Sequence, residues 1–185
     1  MNDRVPYPTA LTIAGSDCSG GAGIQADLKT FEAFGVFGQS VITAVVAENT
    51  VGVEGVLPVT PDFVASQIQC CLDDIGAMAI KTGMLVDAAT INAIAEALGH
   101  YEVTNLVIDP VMVAKGGDPL VAPEAVKVAV EKLFPLAKVV TPNMPEAEVL
   151  VGFPLVSEKD IQKAAEAIHA MGPEVVVIKG GHGPY

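Results

Sequence analysis

The sequence predicts an α/β fold: a mostly parallel central sheet, helices on both faces, and a small-molecule site at the carboxyl edge of the strands. Three observations predict it. Short apolar runs alternate with helix-length amphipathic segments along the whole chain. Those runs are continuously apolar, as in strands covered on both faces. Four of them end in a residue able to do chemistry: Asp17, Asp109, Asn143 and Lys179.

Each element has its own signal. Leu11 to Gly15 is a short strand leading into a glycine-rich loop at 16–23, and a helix then runs to about Phe34 and stops at Gly35. Ser40 to Ala47 is rich in β-branched residues and reads as one strand. Thr60, Pro61 and Asp62 supply an N-cap, a proline at the first helical position and an acid in the first turn. Val64, Ile68, Cys71, Leu72 and Ile75 then keep helical period. A strand over Ala77 to Lys81 precedes Gly83, and a helix over Ala88 to Leu98 closes at Gly99. Leu106 to Ile108 is a strand ending at Asp109 and Pro110. Pro123 opens a helix through Leu133, and Val139 and Val140 lead to Thr141, Pro142 and Asn143. Ser157 to Asp160 resembles a capping box with Asp in place of Glu or Gln. Its helix runs to about Met171, and Val175 to Ile178 is the last strand. No repeat or linker interrupts the pattern, so residues 1–185 are expected to form one domain.

Composition bounds the function. Of 185 residues, 51% are apolar and 17% charged, enough to bury a core and too apolar for disorder. No apolar run approaches the roughly 18 residues of a membrane span. The first eight residues, with Asp3, Arg4 and two prolines, lack the apolar centre of a signal peptide, so a soluble, cytoplasmic protein is expected. A net charge of −12, with only 10 lysines and arginines, argues against nucleic-acid binding. A phosphate would have to be held locally, by amides, a positioned lysine or a metal ion. Cys18, Cys70 and Cys71 have no metal-ligand spacing. Cys70 and Cys71 read as small hydrophobes in a reducing compartment.

Asp27 falls between Phe31 and Phe34 on the apolar side of the first helix, beside the stripe of Ile24, Leu28 and Phe31. A carboxylate there needs partners, either bound ligand or nearby helix-end backbone. The loop Gly20-Gly21-Ala22-Gly23 leads into that helix, and free amides there are able to cradle an anion. It matches neither the dinucleotide nor the phosphate-loop pattern. In the segment Thr141 to Glu146, the Asn143 amide and Glu146 carboxylate suit a hard cation such as magnesium. A rigid turn followed by an acidic first helical turn fits equally well. Lys115 to Asp118 reads as a solvated loop, and His100 and His169 as surface residues. His182 follows the last glycines.

Several segments carry a family resemblance, in order along nearly the whole chain. They are Ala10-Leu-Thr-Ile-Ala-Gly-Ser-Asp17, Ser19-Gly-Gly-Ala-Gly-Ile-Gln-Ala-Asp-Leu-Lys-Thr-Phe31, Lys81-Thr-Gly-Met84, Ile108-Asp-Pro-Val-Met112, Thr141-Pro-Asn143 with Pro145-Glu-Ala147, and Lys179-Gly-Gly-His182. Together they resemble the hydroxymethylpyrimidine/phosphomethylpyrimidine kinases of thiamine synthesis, within the ribokinase-like fold that also includes pyridoxine and pyridoxal kinases. The resemblance implies ATP- and magnesium-dependent phosphorylation of 4-amino-5-hydroxymethyl-2-methylpyrimidine, then of its monophosphate. It implies a homodimer. It also moves the glycine loop to the substrate side. Asp27, the backbone at Val46, Glu48, Met84 and Val111 would bind the pyrimidine. Asp109 and Glu146 would manage magnesium, and Asn143 and Lys179 would contact ATP and its phosphates.

Two departures qualify what the resemblance implies. The family usually has Gln where this chain has Glu48, within Val46-Ala47-Glu48-Asn49-Thr50. An ionised Glu only accepts hydrogen bonds. Either Glu48 is protonated, or it pairs bidentately with a pyrimidine protonated at its ring nitrogen, the arrangement expected here. The second departure is that nothing through Tyr185 matches the family's Gly-Thr-Gly-Cys or Gly-Ala-Gly-Cys motif, which supplies the anion hole and catalytic base. The expectation is a C-terminally truncated kinase fold with no catalytic base in this chain. Two alternatives are a pyridoxine or pyridoxal kinase and a non-catalytic pyrimidine-binding fragment. A nucleotide-dependent oxidoreductase is disfavoured by the missing dinucleotide fingerprint.

Overall fold

A computed structural model describes residues 7–112 and 122–180. The elements in chain order are β1 (Thr9–Ala14), α1 (Gly23–Ala33), β2 (Phe37–Ile42), β3 (Ala44–Glu48), β4 (Val53–Pro58), α2 (Pro61–Asp74), β5 (Ala79–Thr82) and α3 (Ala88–Leu98). Then follow β6 (Leu106–Ile108), α4 (Pro123–Lys132), β7 (Val139–Val140), α5 (Met144–Val151), α6 (Glu158–His169) and β8 (Val175–Val176). Among the described residues, six strands form an all-parallel sheet in the order β2-β1-β5-β6-β7-β8. This is the parallel-sheet α/β architecture that the sequence predicts. Every strand of that sheet therefore ends at the same edge.

The core explains the continuous apolar runs. All six residues of β1 are buried. Leu11 and Ile13 join Val64 and Ile68 of α2, Ile91 and Ile94 of α3, and Ala129 and Leu133 beside α4 in one apolar cluster. Burying each such leucine or isoleucine contributes about 1.5–3 kcal/mol. Between them, Thr12 points to the opposite face, because side chains alternate along a strand. There its hydroxyl reaches Asp27 of α1.

The expected strand over Ser40 to Ala47 is corrected to two strands in different sheets. The break is Thr43. Its amide still reaches the Ala14 carbonyl, extending the ladder at 3.0 Å, but its own carbonyl accepts from Val59 at 2.9 Å. The chain then leaves the sheet as the β3–β4 hairpin, an antiparallel pair with a bulge between Ala47 and Glu48. An unbroken β-branched run carries no mark of this turn. The hairpin's second strand, β4, has no counterpart in the sequence reading, because all six of its residues are exposed and lack a buried-strand pattern.

Smaller differences have local causes. Phe34 caps α1 rather than joining its buried stripe. The helix ends at Ala33, and the Phe34 ring is 80% exposed. Strand β8 stops at Val176, and a bridge between Asn143 and Lys179 continues the pairing beyond it. Of the two cysteines read as small hydrophobes, Cys71 packs against the core and Cys70 is exposed. His100 and His169 are exposed as expected. The readings made on Lys115 to Asp118, on His182 and on the residues at either end of the chain fall outside the described residues.

Thr43 is fully buried, and its hydroxyl donates to the Met84 carbonyl at 2.7 Å. Thr43→Val removes that donor and leaves the carbonyl without it. The expected loss is about 1–3 kcal/mol, read as a lower urea midpoint with an unchanged slope.

Candidate active site

The site begins where β1 ends. The Gly15 carbonyl accepts from the Ile24 amide at 3.0 Å, which draws the start of α1 onto the strand end. Gly23 sits at φ +55, and a Cβ there would collide with the Gly15 carbonyl. Only glycine combines that backbone conformation with so close an approach.

Asp17 fills the loop that the glycines form. It is 3% exposed. Its Oδ1 accepts from the Ser19 amide at 2.7 Å, and its Oδ2 from the Gly21 and Ala22 amides at 3.0 and 2.7 Å. The Asp17 amide in turn donates to Gln25 Oε1 at 2.8 Å. The expectation that these amides lie free to cradle an external anion is therefore corrected: the chain's own carboxylate occupies them. Hydrogen bonding from Ser19, then from the Ala22 and Gly21 amides, holds the Asp17 carboxyl below the usual carboxylate range, against the opposing effect of burial.

The hairpin folds over this loop. Ser16 donates its amide to the Ala44 carbonyl, and its Oγ accepts from the Val46 amide at 3.1 Å. The Val46 side chain and the Met84 methyl both crowd Gly15, where a Cβ would meet Met84 Cε at 2.5 Å and Val46 Cγ2 at 3.8 Å. At the hairpin's bulge, the backbone of Glu48 meets Cys18: Sγ donates to its carbonyl at 3.1 Å and accepts from its amide at 3.4 Å. Val46, Glu48, Met84 and the glycine loop therefore converge on one side of the edge. Asp27 lies behind them, held by Thr12 Oγ1 at 2.6 Å and Lys81 Nζ at 2.9 Å. Its partners are side chains from two strands, not the helix-end backbone of the simpler reading.

Val111 lies elsewhere, in a small apolar cavity between the ends of β5 and β6, with Gly83, Val86, Asp109 and Met112. Val86 adopts φ +69. The Asp87 amide closes a three-residue turn around it onto Leu85 at 2.9 Å. A β-branched residue in that conformation is strained, and such strain concentrates at functional sites.

On the other side of the edge, Lys179 Nζ pairs with Asp109 Oδ1 at 2.5 Å, and Thr141 Oγ1 contacts the same oxygen at 3.3 Å. Asn143 and Glu146 form a reciprocal capping box on α5: Asn143 Oδ1 accepts from the Glu146 amide, and Glu146 Oε2 from the Asn143 amide. Glu146 Oε1 takes the Met112 amide at 3.4 Å. Burial pushes the Glu146 carboxyl up, and the Asn143 amide and the Lys179 charge oppose that rise. Asp109, Lys179 and Glu146 thus act on one another electrically.

The donor set fits a phosphate-bound magnesium better than an all-protein metal cage. Among the described residues, no three His, Cys, Asp or Glu groups gather for a metal. Magnesium commonly uses one or two carboxylates and completes its shell with water and substrate phosphates. Asp109 offers an oxygen directly. Both Glu146 oxygens already accept amides, so it suits contact through water.

Sequence reasoning missed Lys81, Thr12 and Thr141. The lysine ending an otherwise apolar strand was the available signal. Thr12 had none, since threonine is common in strands, whereas Thr141 lies in the segment Thr141 to Glu146 already singled out.

Residues 17–185 match the family described as Phosphomethylpyrimidine kinase. A hydroxymethylpyrimidine/phosphomethylpyrimidine kinase of Bacillus subtilis is 50% identical over 175 residues, covering 95% of this chain and 65% of the relative. The crystal structure of a phosphomethylpyrimidine kinase from Clostridium difficile superposes with a TM-score of 0.89 at 46% identity, over 95% of this chain and 76% of the other. An ADP complex of Bacillus subtilis pyridoxal kinase gives a TM-score of 0.85 at 44% identity, over 93% and 66%. The chain spans between 34% and 65% of the length of the first curated relatives it matches.

The lowered Asp17 carboxyl gives a pH prediction with a definite sign. Its contribution to stability is complete above the unfolded aspartate value, about 3.9, and is lost as pH falls through the lowered folded value. Glu146, raised in the folded state, has the opposite sign and partly offsets this loss on acidification. In urea titrations, Asp17→Asn is expected to be less stable than the parent at neutral pH and to lose less stability on acidification. Parallel pH dependences for parent and variant would show that Asp17 is not the group responsible.

Proposed function

The chain belongs to the phosphomethylpyrimidine kinase family, and from that premise we propose that it binds 4-amino-5-hydroxymethyl-2-methylpyrimidine and magnesium–ATP at its divided sheet edge. The reaction is transfer of the ATP γ-phosphoryl group to the hydroxymethyl oxygen, and then to the monophosphate, for thiamine diphosphate synthesis. The observation that carries this reading is the division itself. Val46, Met84, Glu48 and Asp27 gather near the β1 loop, and Asp109, Lys179, Asn143 and Glu146 gather beyond β6.

The residues take complementary tasks. Met84 and Val46 offer an apolar wall to the ring, Glu48 an acceptor for its polar edge, and Asp27 an acceptor for its hydroxyl or amine. Val111 lies apart from this group, in the apolar cavity beside Asp109. Lys179 is available to exchange its carboxylate partner for phosphate oxygens, and Asn143 offers its amide beside it. Asp109 directly and Glu146 through water would hold the cation, which supplies neutralisation of phosphate charge. The new O–P bond forms as the bond to the ADP oxygen breaks, and the hydroxyl proton passes to water. Such transfer depends on positioning and charge stabilisation. The names of relatives support this assignment, and ADP-bound pyridoxal kinase supports nucleotide use.

The similarity to pyridoxal kinase also favours a second reading, in which the ring alcohol is pyridoxal or pyridoxine. A homodimer in the cytoplasm completes the proposal. The exposed apolar side chains Val45, Val53, Val56 and Leu57 on the hairpin support pairing between copies. None of the described helices is long and apolar enough to cross a membrane.

Calorimetric titration with the pyrimidine and with magnesium–ATP, followed by a single-turnover assay with labelled ATP, tests the assignment. Saturable binding of both is expected, with pyridoxine a weaker competitor, and label reaching the pyrimidine supports transfer by this chain. Stronger competition by pyridoxine supports the second reading. Binding without transfer supports a non-catalytic binding protein, and binding of neither overturns all three.

Glu48→Gln is expected to weaken pyrimidine binding about tenfold, the scale of a charge-assisted hydrogen bond. It is also expected to flatten the pH dependence of affinity. An affinity and pH profile equal to the parent's would exclude the ionic pairing.

A further inference from the structure

Lys81 is assigned no role in the function proposed above, yet it stands at the centre of a built cluster. It lies in β5 directly beside Thr12 of β1 in the parallel register. Both side chains turn to the α1 face and meet the same atom: Thr12 Oγ1 is 2.6 Å and Lys81 Nζ 2.9 Å from Asp27 Oδ2. Two strands therefore converge on one carboxylate oxygen of α1. Asp27 Oδ1 receives no hydrogen bond from the described residues. The pair is neither sealed nor solvated, with side chains 25% and 19% exposed for Lys81 and Asp27.

Gly83 makes the space. A Cβ at this position would come 3.0 Å from Lys81 Nζ and 3.0 Å from Ala14 Cβ. The ammonium thus lies alongside the strand end where the edge begins. A carboxylate left alone in this position would swing between rotamers and toward water. With Oδ2 held by two donors from a rigid sheet, the orientation of Oδ1 follows from the sheet rather than from the helix.

The geometry points to Lys81 as a positioning residue that fixes Asp27, with Thr12, so that Oδ1 is presented as the acceptor for a hydroxyl or amino donor on the ligand. This rests on the reading of Asp27 as a ligand-binding residue. Lys81 acts through Asp27 and need not touch the ligand. A bidentate or stacking role is not required of it, so arginine is expected to substitute in part and a neutral side chain of similar length is not.

Two measurements test this and separate its failure from failure of the functional proposal. The first uses the chain without ligand. The Lys81 side-chain ammonium is followed by nitrogen-detected NMR in the parent, Thr12→Val and Asp27→Asn. A slowly exchanging ammonium signal is expected in the parent and is expected to vanish in Asp27→Asn. Its absence in the parent overturns the inference whatever the ligand is. The second is a double-mutant cycle in pyrimidine binding. Lys81→Met is expected to weaken binding about tenfold. Lys81→Arg is expected to recover most of that loss. Lys81→Met combined with Asp27→Asn is expected to bind no worse than Asp27→Asn alone. Thermal unfolding of each variant confirms that it is folded, and Lys81→Arg carries the comparison if Lys81→Met is not. Parent-like affinity in Lys81→Met, or additive losses in the double variant, overturns the positioning role. A parent chain that binds no ring alcohol overturns the functional proposal and, with it, the ligand-facing part of this one.

Discussion

Thr43 joins pieces of the site that come from distant parts of the sequence. Its amide extends the β1 ladder, its carbonyl anchors the end of the hairpin at Val59, and its hydroxyl holds the Met84 carbonyl. A fully buried residue with every polar group engaged leaves these three segments little freedom relative to one another. The positions of Val46 and Met84 over Gly15 follow from that junction. So does the reach of the hairpin toward Cys18. The close approach of Gly23 to Gly15 completes the frame from the helix side.

A second theme is that the acidic groups of the edge already have partners. Asp17 is bound by its own loop, Asp27 by Lys81 and Thr12, Asp109 by Lys179, and Glu146 by two amides. The two partly exposed lysine–aspartate pairs among them contribute little to stability. Their effect is to orient side chains before any ligand arrives, which lowers the ordering cost of binding. For a chain of net charge −12, these local cations matter. Lys179 places a positive charge at the edge and Lys81 orients Asp27, within a field that otherwise repels negative charge.

The split of the edge also follows from strand order. Strand β5 lies between β1 and β6, so Lys81 and Gly83 stand between the loop after β1 and the group around Asp109. Neighbouring strands lie about 4.8 Å apart, so the two halves are separated by no more than a few strand widths. That spacing suits a small ring on one side and a phosphate chain reaching in from the other. Val86, held in a strained turn after β5, lies in the same dividing segment.

Much of the architecture was legible in the sequence because its signals are local. Helix α3 was bounded by Ala88 and Leu98 from its apolar period and Gly99, and β6 from three apolar residues before Asp109. The gathering of polar residues at the carboxyl edge followed from parallel order alone. The sequence by itself determined the layered fold and which residues reach the edge, since apolar period and turn chemistry act over a few neighbouring residues. Tertiary structure alone decided how those residues are paired. That Ser40 to Ala47 divides at Thr43 and that Asp27 is gripped by Thr12 and Lys81 both depend on contacts between segments as far as 54 residues apart. Such contacts arise from strand register and close backbone approach, neither of which leaves a periodic mark in the chain.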